Sequence, residues 1–141
     1  MSGTSARGRL EELGRDECLA LLARHHLGRL AVVVGGRPLV FPVNYCLDGD
    51  RVVFRTDAGT KLHGALGGPV AFEIDGVDGL YHGGWSVLVV GEAEEVADGA
   101  ERDRLARLPL GLWAGGDRSH WVRIRPAAVT GRRLRTPRPD P

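Results

Sequence analysis

The chain has 141 residues, 43% of them hydrophobic, which bounds it to one globular domain with a small core and leaves no room for a second. A formal net charge of +1 excludes a protein built to coat nucleic acid, and no apolar run approaches the roughly 20 residues of a membrane-spanning helix. The two cysteines, Cys18 and Cys46, form no CxxC or Cys/His cluster, so neither a zinc site nor a disulfide framework is indicated.

Residues 1–9 read as a flexible N-terminus without the apolar core of a secretion signal, making the cytoplasm the expected location. Leu13-Gly14-Arg15-Asp16-Glu17-Cys18 predicts a helix start with Gly14 as N-cap, and Gly28 supplies a stop beyond a helix ending near His26. His25 and His26 then fall where cationic side chains suit the helix dipole and read as a capping pair. From Leu27 the apolar period becomes two. LGRLAVVV and RPLVFPVNYCL flank a Gly35-Gly36 hairpin, and Asp48-Gly49 turns the chain into DRVVFRT, predicting three antiparallel strands in series. Pro42 lies inside the second and confines it to an edge, a bulge or a place where the sheet opens toward a ligand.

The segment FRTDAGTKLHGAL is the most informative. A strand ends at Arg55-Thr56, a turn follows, and a helix is expected over residues 60–66, which puts Lys61 at the dipole end that disfavours cations. Either it is a solvated lysine in a surface turn, or the N–H groups of residues 59–61, the Thr60 hydroxyl, Lys61 and Arg55 cradle a phosphate. After Gly67-Gly68-Pro69, VAFEID alternates as a half-buried strand, and Trp85 to Val96 reads as one long strand with a bulge at Gly91. A charged helix is expected over residues 99–108, and the final strand, HWVRIRP, continues toward Leu134. Arg123, Arg125, Arg132, Arg133, Arg135 and Arg138, with Pro137, Pro139 and Pro141, suggest a disordered tail over 136–141. Six antiparallel strands with sparse short helices and no βαβ alternation predict a mainly β, six-stranded barrel over residues 10–135.

Walker, dinucleotide-binding, nucleophile-elbow and HExxH patterns are all missing, so ATPase, serine-hydrolase and zinc-protease readings fall away. His63, His82 and His120 read as structural or surface residues. Glu94 and Glu95 point to opposite faces of a strand and cannot form an acid/base couple.

Taken together, the run from Arg29 to Leu66, then VAFEID, GWSVLVVGEAEEV and HWVRIRP resemble the pyridoxamine 5'-phosphate oxidase-like family, the FMN-binding split barrels. The likeness is greatest to short actinobacterial members near the nitroimidazole-resistance proteins. That resemblance implies FMN held between the subunits of a cytoplasmic homodimer. The strand matched by Pro42, Val43, Asn44 and Tyr45 would run beside the flavin ring. Arg55 and Thr56 would contact the ribityl and phosphate region, and Thr60 and Lys61 match the phosphate-binding motif, with Thr60 standing where relatives often carry Arg. Trp85 and Ser86 match a position reaching the flavin from the partner subunit, and Trp121 lies in the block that closes over the site. The implied activity is nicotinamide-dependent reduction of a small acceptor, a nitroaromatic or a quinone. The chain ends in RTPRPDP, without the longer basic and aromatic segment of a true pyridoxamine phosphate oxidase. On the same fold, a deazaflavin-dependent reductase, a haem-binding barrel with His63, His82 or His120 as axial ligand, and a non-enzymatic flavin-storage module are the alternatives. No catalytic side chain is assigned; Tyr45, Tyr81 and His82 are candidate proton donors.

Overall fold

The computed structural model describes residues 9–78, 83–109 and 120–135. Its elements run β1 (Arg9–Leu13), α1 (Arg15–Arg24), β2 (Leu27–Val34), β3 (Arg37–Asn44), β4 (Cys46–Asp48), β5 (Arg51–Thr56), α2 (Thr60–Leu66), β6 (Pro69–Asp78), β7 (Gly83–Glu95), α3 (Gly99–Leu105) and β8 (His120–Arg135). One antiparallel sheet takes the order β3-β2-β6-β7-β8-β5-β4, with β1 added alongside β8. The expected mainly β split barrel is therefore present, with eight strands rather than six.

The extra strands have two origins. β1 carries only two apolar residues and gave no strand period, yet it pairs with the far end of β8 from Arg9↔Arg135 to Leu13↔Gly131. The second difference shapes the molecule. The run expected as one strand, RPLVFPVNYCL, breaks at Tyr45 into β3 and β4, which occupy opposite ends of the sheet order. Tyr45 is the pivot: its N–H donates to His26 O at 2.9 Å, and its buried hydroxyl donates to Leu22 O of α1 at 2.7 Å. By pairing with β2 before this residue and β5 after it, one segment carries the sheet round on itself.

The β2–β3 hairpin turns on Gly35 (φ 58°) and Gly36 (φ 76°), both in the left-handed region that a two-residue turn of this type requires. The expected bulge is also present. Pairing of β7 with β8 shifts register between Val90 and Gly91, and a Cβ on Gly91 would lie 2.1 Å from Arg125 O. Inside the barrel, Leu30, Val32, Phe72, Ile74, Val87 and Ile124 pack with Cys18, Leu21 and Leu22 of α1. A second cluster outside β5 and β8 packs Cys46, Val53 and Trp121 against Val96, just past β7, and against Leu105 of α3. α3 is capped by Asp98, which accepts from the Glu101 N–H, and clamped by Arg104, whose guanidinium donates to both carboxylate oxygens of Asp48 at 3.1 and 2.8 Å. His25 is the C-cap of α1, as expected for one half of the capping pair, and its ring also packs 4.9 Å from that of Trp85.

The outer face of the sheet carries the uncovered apolar surface. Side chains at alternating, register-matched positions form the row Val40, Ala31, Ala71, Val90 and Ala128, which crosses five strands. Of nine large apolar side chains exposed among the described residues, eight lie on this face; the ninth is Leu66 of α2. Beside the apolar row runs a mixed one in which Arg29 Nη1 bridges Glu73 at 3.1 Å and Asp75 at 3.2 Å. Burial, then the hydrogen bond and charge of Asp75, raise the Glu73 carboxyl above its ordinary range, with Arg29 opposing them.

Candidate functional site

The open seam of the barrel lies between the free edge of β3 and the end of β5. Because Tyr45 bonds to His26, alternation along the antiparallel ladder turns residues 39, 41 and 43 toward β2 and residues 38, 40, 42 and 44 toward the seam. Pro38 and Pro42 thus fall where no ladder donor is needed, as an edge strand requires. The seam edge of β3 offers carbonyls at Pro38, Val40, Pro42 and Asn44, and N–H donors at Val40 and Asn44.

Opposite this edge stands the end of β5. The β4–β5 register runs Cys46↔Val53 to Asp48↔Arg51, and continuing it two residues sets Asn44 level with Arg55. One further residue sets Val43 level with Thr56. Arg55 faces outward, its guanidinium carbon 4.9 Å from the centre of the Trp121 ring. Trp121 pairs with Arg55 across β5–β8 and is itself only 6% exposed. Thr56 is buried, and its hydroxyl donates to Asp57 O at 3.1 Å.

Beyond Thr56 the chain turns through exposed Asp57 and Ala58 to Gly59, whose φ of 143° strongly favours glycine. The expected helix then begins at Thr60, with bounds 60–66 as read from the sequence. No side chain caps it, and its seven residues make a weak dipole, so the anion-attracting power of the turn rests mainly on the charges of Lys61 and Arg55. Lys61 is half-buried, its Nζ 6.0 Å from the centre of the Phe41 ring on β3. Gly64 explains the tight seating of α2: a Cβ there would lie 2.7 Å from Val32 Cγ2.

The structure thus brings Pro42, Val43, Asn44, Arg55, Thr56, Thr60 and Lys61 to one seam, with Trp121 behind Arg55. Val43 is buried toward the core, so along this stretch the backbone and the outward Pro42 and Asn44 face the opening. Tyr45 is fully buried with its hydroxyl committed to Leu22 O, and burial, then the nearby Cys46, pushes its phenol well above the usual range; its part is to hold the seam's closed end and not to pass a proton. Tyr81 and His82 lie outside the described residues.

Trp85 and Ser86 sit elsewhere. Trp85 pairs with Gly76 and Arg133, and its ring packs over Gly76, where a Cβ would lie 2.5 Å from the indole nitrogen. Arg133 is twelve residues along β8 from Trp121, about 40 Å of extended strand at ~3.3 Å per residue. Within one protomer Trp85 and Ser86 are therefore at the opposite end of β8 from the seam.

Two neighbours of the seam make contacts that the sequence does not signal. Phe41 flanks Lys61 and was visible only as an apolar strand residue. His120, opposite Thr56, has Nδ1 2.7 Å from Glu95 Oε2, a pairing between residues 25 apart that no spacing signals. The two thiols offer no reactive group: burial raises that of Cys18, and burial, then Asp48, raises that of Cys46 to about 11. Among the described residues no cluster could hold a metal ion.

Comparison with known proteins places this geometry in a lineage. A family model described as pyridoxamine 5'-phosphate oxidase matches residues 14–133. The FAD binding protein from Mycobacterium smegmatis is 39% identical, with a TM-score of 0.79 over 89% of this chain and 98% of that one. An uncharacterized protein of Mycobacterium tuberculosis is 38% identical over 129 residues, 87% of this chain and 84% of its own. An FAD-binding protein from Mesorhizobium loti is 26% identical, with a TM-score of 0.74 over 90% of this chain and 98% of that one.

Proposed function

The chain belongs to the pyridoxamine 5'-phosphate oxidase family, and from that premise we propose that it is a homodimeric, flavin-binding oxidoreductase that passes electrons from a reduced nicotinamide to a small acceptor such as a nitroaromatic or a quinone. The observation that carries the reading is the seam itself: Arg55 and Lys61 on either side of a positive-φ glycine, next to a strand edge with open backbone donors and acceptors. In this reading the two cations hold a phosphate, and the free edge of residues 42–44 meets the polar rim of a flavin ring. The flavin supplies the hydride and electron chemistry. The protein's own residues would bind the phosphate and fix the ring against the backbone.

The uncovered sheet face supports a second copy. An apolar row across five strands, beside the exposed Leu88 and Val33, is the kind of contiguous apolar surface that marks an interface. A two-fold partner covers it and brings its own Trp85–Ser86 end of β7 toward the seam. Between the two flavin nucleotides, FAD is favoured over FMN by the 39%-identical FAD binding protein.

Cofactor released from the purified protein and identified by mass tests the reading directly, and NADH consumption with a nitroaromatic acceptor separates an enzyme from a flavin carrier. Lys61→Ala removes a charge-assisted hydrogen bond and is expected to weaken flavin binding by about 1.5–3 kcal/mol, roughly ten- to a hundredfold. An unchanged dissociation constant refutes the cradle.

A further inference from the structure

Eight of the nine exposed large apolar side chains are accounted for by the sheet face; Leu66 is not. It belongs to a shallow hollow of about 370 Å³ along one side of α2, lined by Gly59, Leu62, His63, Leu66 and Gly67. The spacing 59, 62, 63, 66, 67 is a single helix stripe. Among the described residues nothing covers it, and its lining is mainly apolar, with one exposed imidazole.

The position of this hollow relative to Lys61 is informative. At about 100° per residue, Lys61 projects from the other side of the helix, toward Phe41 and the seam, where Gly64 also packs on β2. Gly59, which opens the turn into α2, borders the hollow as well. The start of α2 therefore separates two compartments: a polar seam edged by backbone and cations, and an apolar stripe ending in Leu66. A mononucleotide anchored by its phosphate at that start fills only the first. A dinucleotide whose pyrophosphate crosses the same point reaches both.

We propose that the α2 hollow seats the adenine ring of a flavin dinucleotide, stacked on the His63 imidazole and packed against Leu62 and Leu66. This deepens the flavin reading and rests on it. Stacking on an aromatic ring, with closure of an apolar stripe, fits a purine. With no charged residue in the lining, the hollow has nothing to recognise a third phosphate or an acidic tail.

The experiment is a titration of apo-protein with FAD and, separately, FMN, for the parent chain and for His63→Ala and Leu66→Ser, with dimerisation followed by sedimentation. The parent is expected to bind FAD at least about tenfold more tightly than FMN. Each variant is expected to lose about that factor for FAD while its FMN affinity and its oligomeric state stay unchanged. Equal affinity of the parent for the two flavins overturns the proposal, and so does an equal loss of both flavins in the variants. A variant that shifts the monomer–dimer balance overturns it as well, because a second copy then occupies the hollow. A parent that binds neither flavin overturns the underlying flavin reading together with this one, an outcome distinct from all the others.

Discussion

Replacing Val90 by glutamate isolates the role of the outer sheet face. Val90 is 38% exposed and stands in the middle of the apolar row between Ala71 and Ala128, whose small side chains leave it the most prominent group there. In an isolated protomer the change falls on a half-exposed strand position away from the core, and such surface substitutions usually alter stability by no more than about 0.5 kcal/mol. In a two-fold dimer formed on this face each copy would bury one carboxylate among the apolar side chains of the row. A buried charge lacking its partner costs about 3 kcal/mol or more, so two copies cost about 6 kcal/mol, or roughly four orders of magnitude in the dimer dissociation constant. Sedimentation velocity at micromolar concentration is expected to show a dimeric parent and a monomeric, folded Val90→Glu variant. Flavin retained on gel filtration is expected to fall in step if the ring site is shared between copies, as proposed. A variant that dimerises as tightly as its parent refutes the assignment of this face. A monomeric variant that keeps its flavin refutes the shared site.

Two further outcomes follow from the packing and the charges. Gly91→Ala drives a methyl group to 2.1 Å from Arg125 O, a backbone atom with no rotamer to escape into; overpacking of this kind costs about 1–3 kcal/mol, and an unchanged melting temperature refutes the bulge as a required close approach. Two arginine-held carboxylates are expected to make the chain acid-sensitive: the Arg104 hydrogen bond from α3 holds Asp48 below its ordinary range, and the Arg123 hydrogen bond from β8 does the same for Glu94. Groups lowered in the folded state add stability above their unfolded pKa, and that stability is lost as pH falls through the folded value, whereas Glu73, which is raised, gains on protonation and opposes the loss. Melting temperature followed from neutral pH into the acid range is expected to fall less steeply for Arg104→Ala than for the parent, and superimposable profiles refute the clamp.

The sequence made legible whatever depended on local period and turn chemistry. Gly35-Gly36 announced the hairpin, Gly91 the bulge and Pro42 the edge, because each residue type answers a backbone demand at its own position. The helix at 60–66 was readable from the strand end and the apolar spacing around it. The break at Tyr45 was not, since FPVNYCL keeps a strand period throughout and the change of pairing partner is made by His26 and Leu22, some twenty residues upstream. β1 was hidden for a similar reason: its residues are mostly charged, and its partner strand lies at the other end of the chain. At the site, the charged and turn residues were visible as a linear motif. The sides they occupy were not, because the orientation of Trp85 over Gly76, or of Arg55 over Trp121, is set by pairing across the sheet.

The seam and the pivot have a common cause. A sheet of this size curls until its two edges approach, and full closure removes both free edges. Here one chain segment supplies both edges, β3 and β4, separated only by Tyr45. The edges must therefore meet at that residue and can part only on the β3 side, where β5 runs back past residues 43–44. Left open, β3 faces the seam with carbonyls at four alternate residues but with N–H groups at only two, because Pro38 and Pro42 have none to leave unpaired. Two such prolines lower the risk of strand addition at this edge, which would need continuous donors, while keeping acceptors and isolated donors for a ligand with a short polar rim. The turn carrying Lys61 begins where β5 ends, at the mouth of the same opening, so the position of the anion-attracting group follows from the connectivity that prevents the barrel from closing.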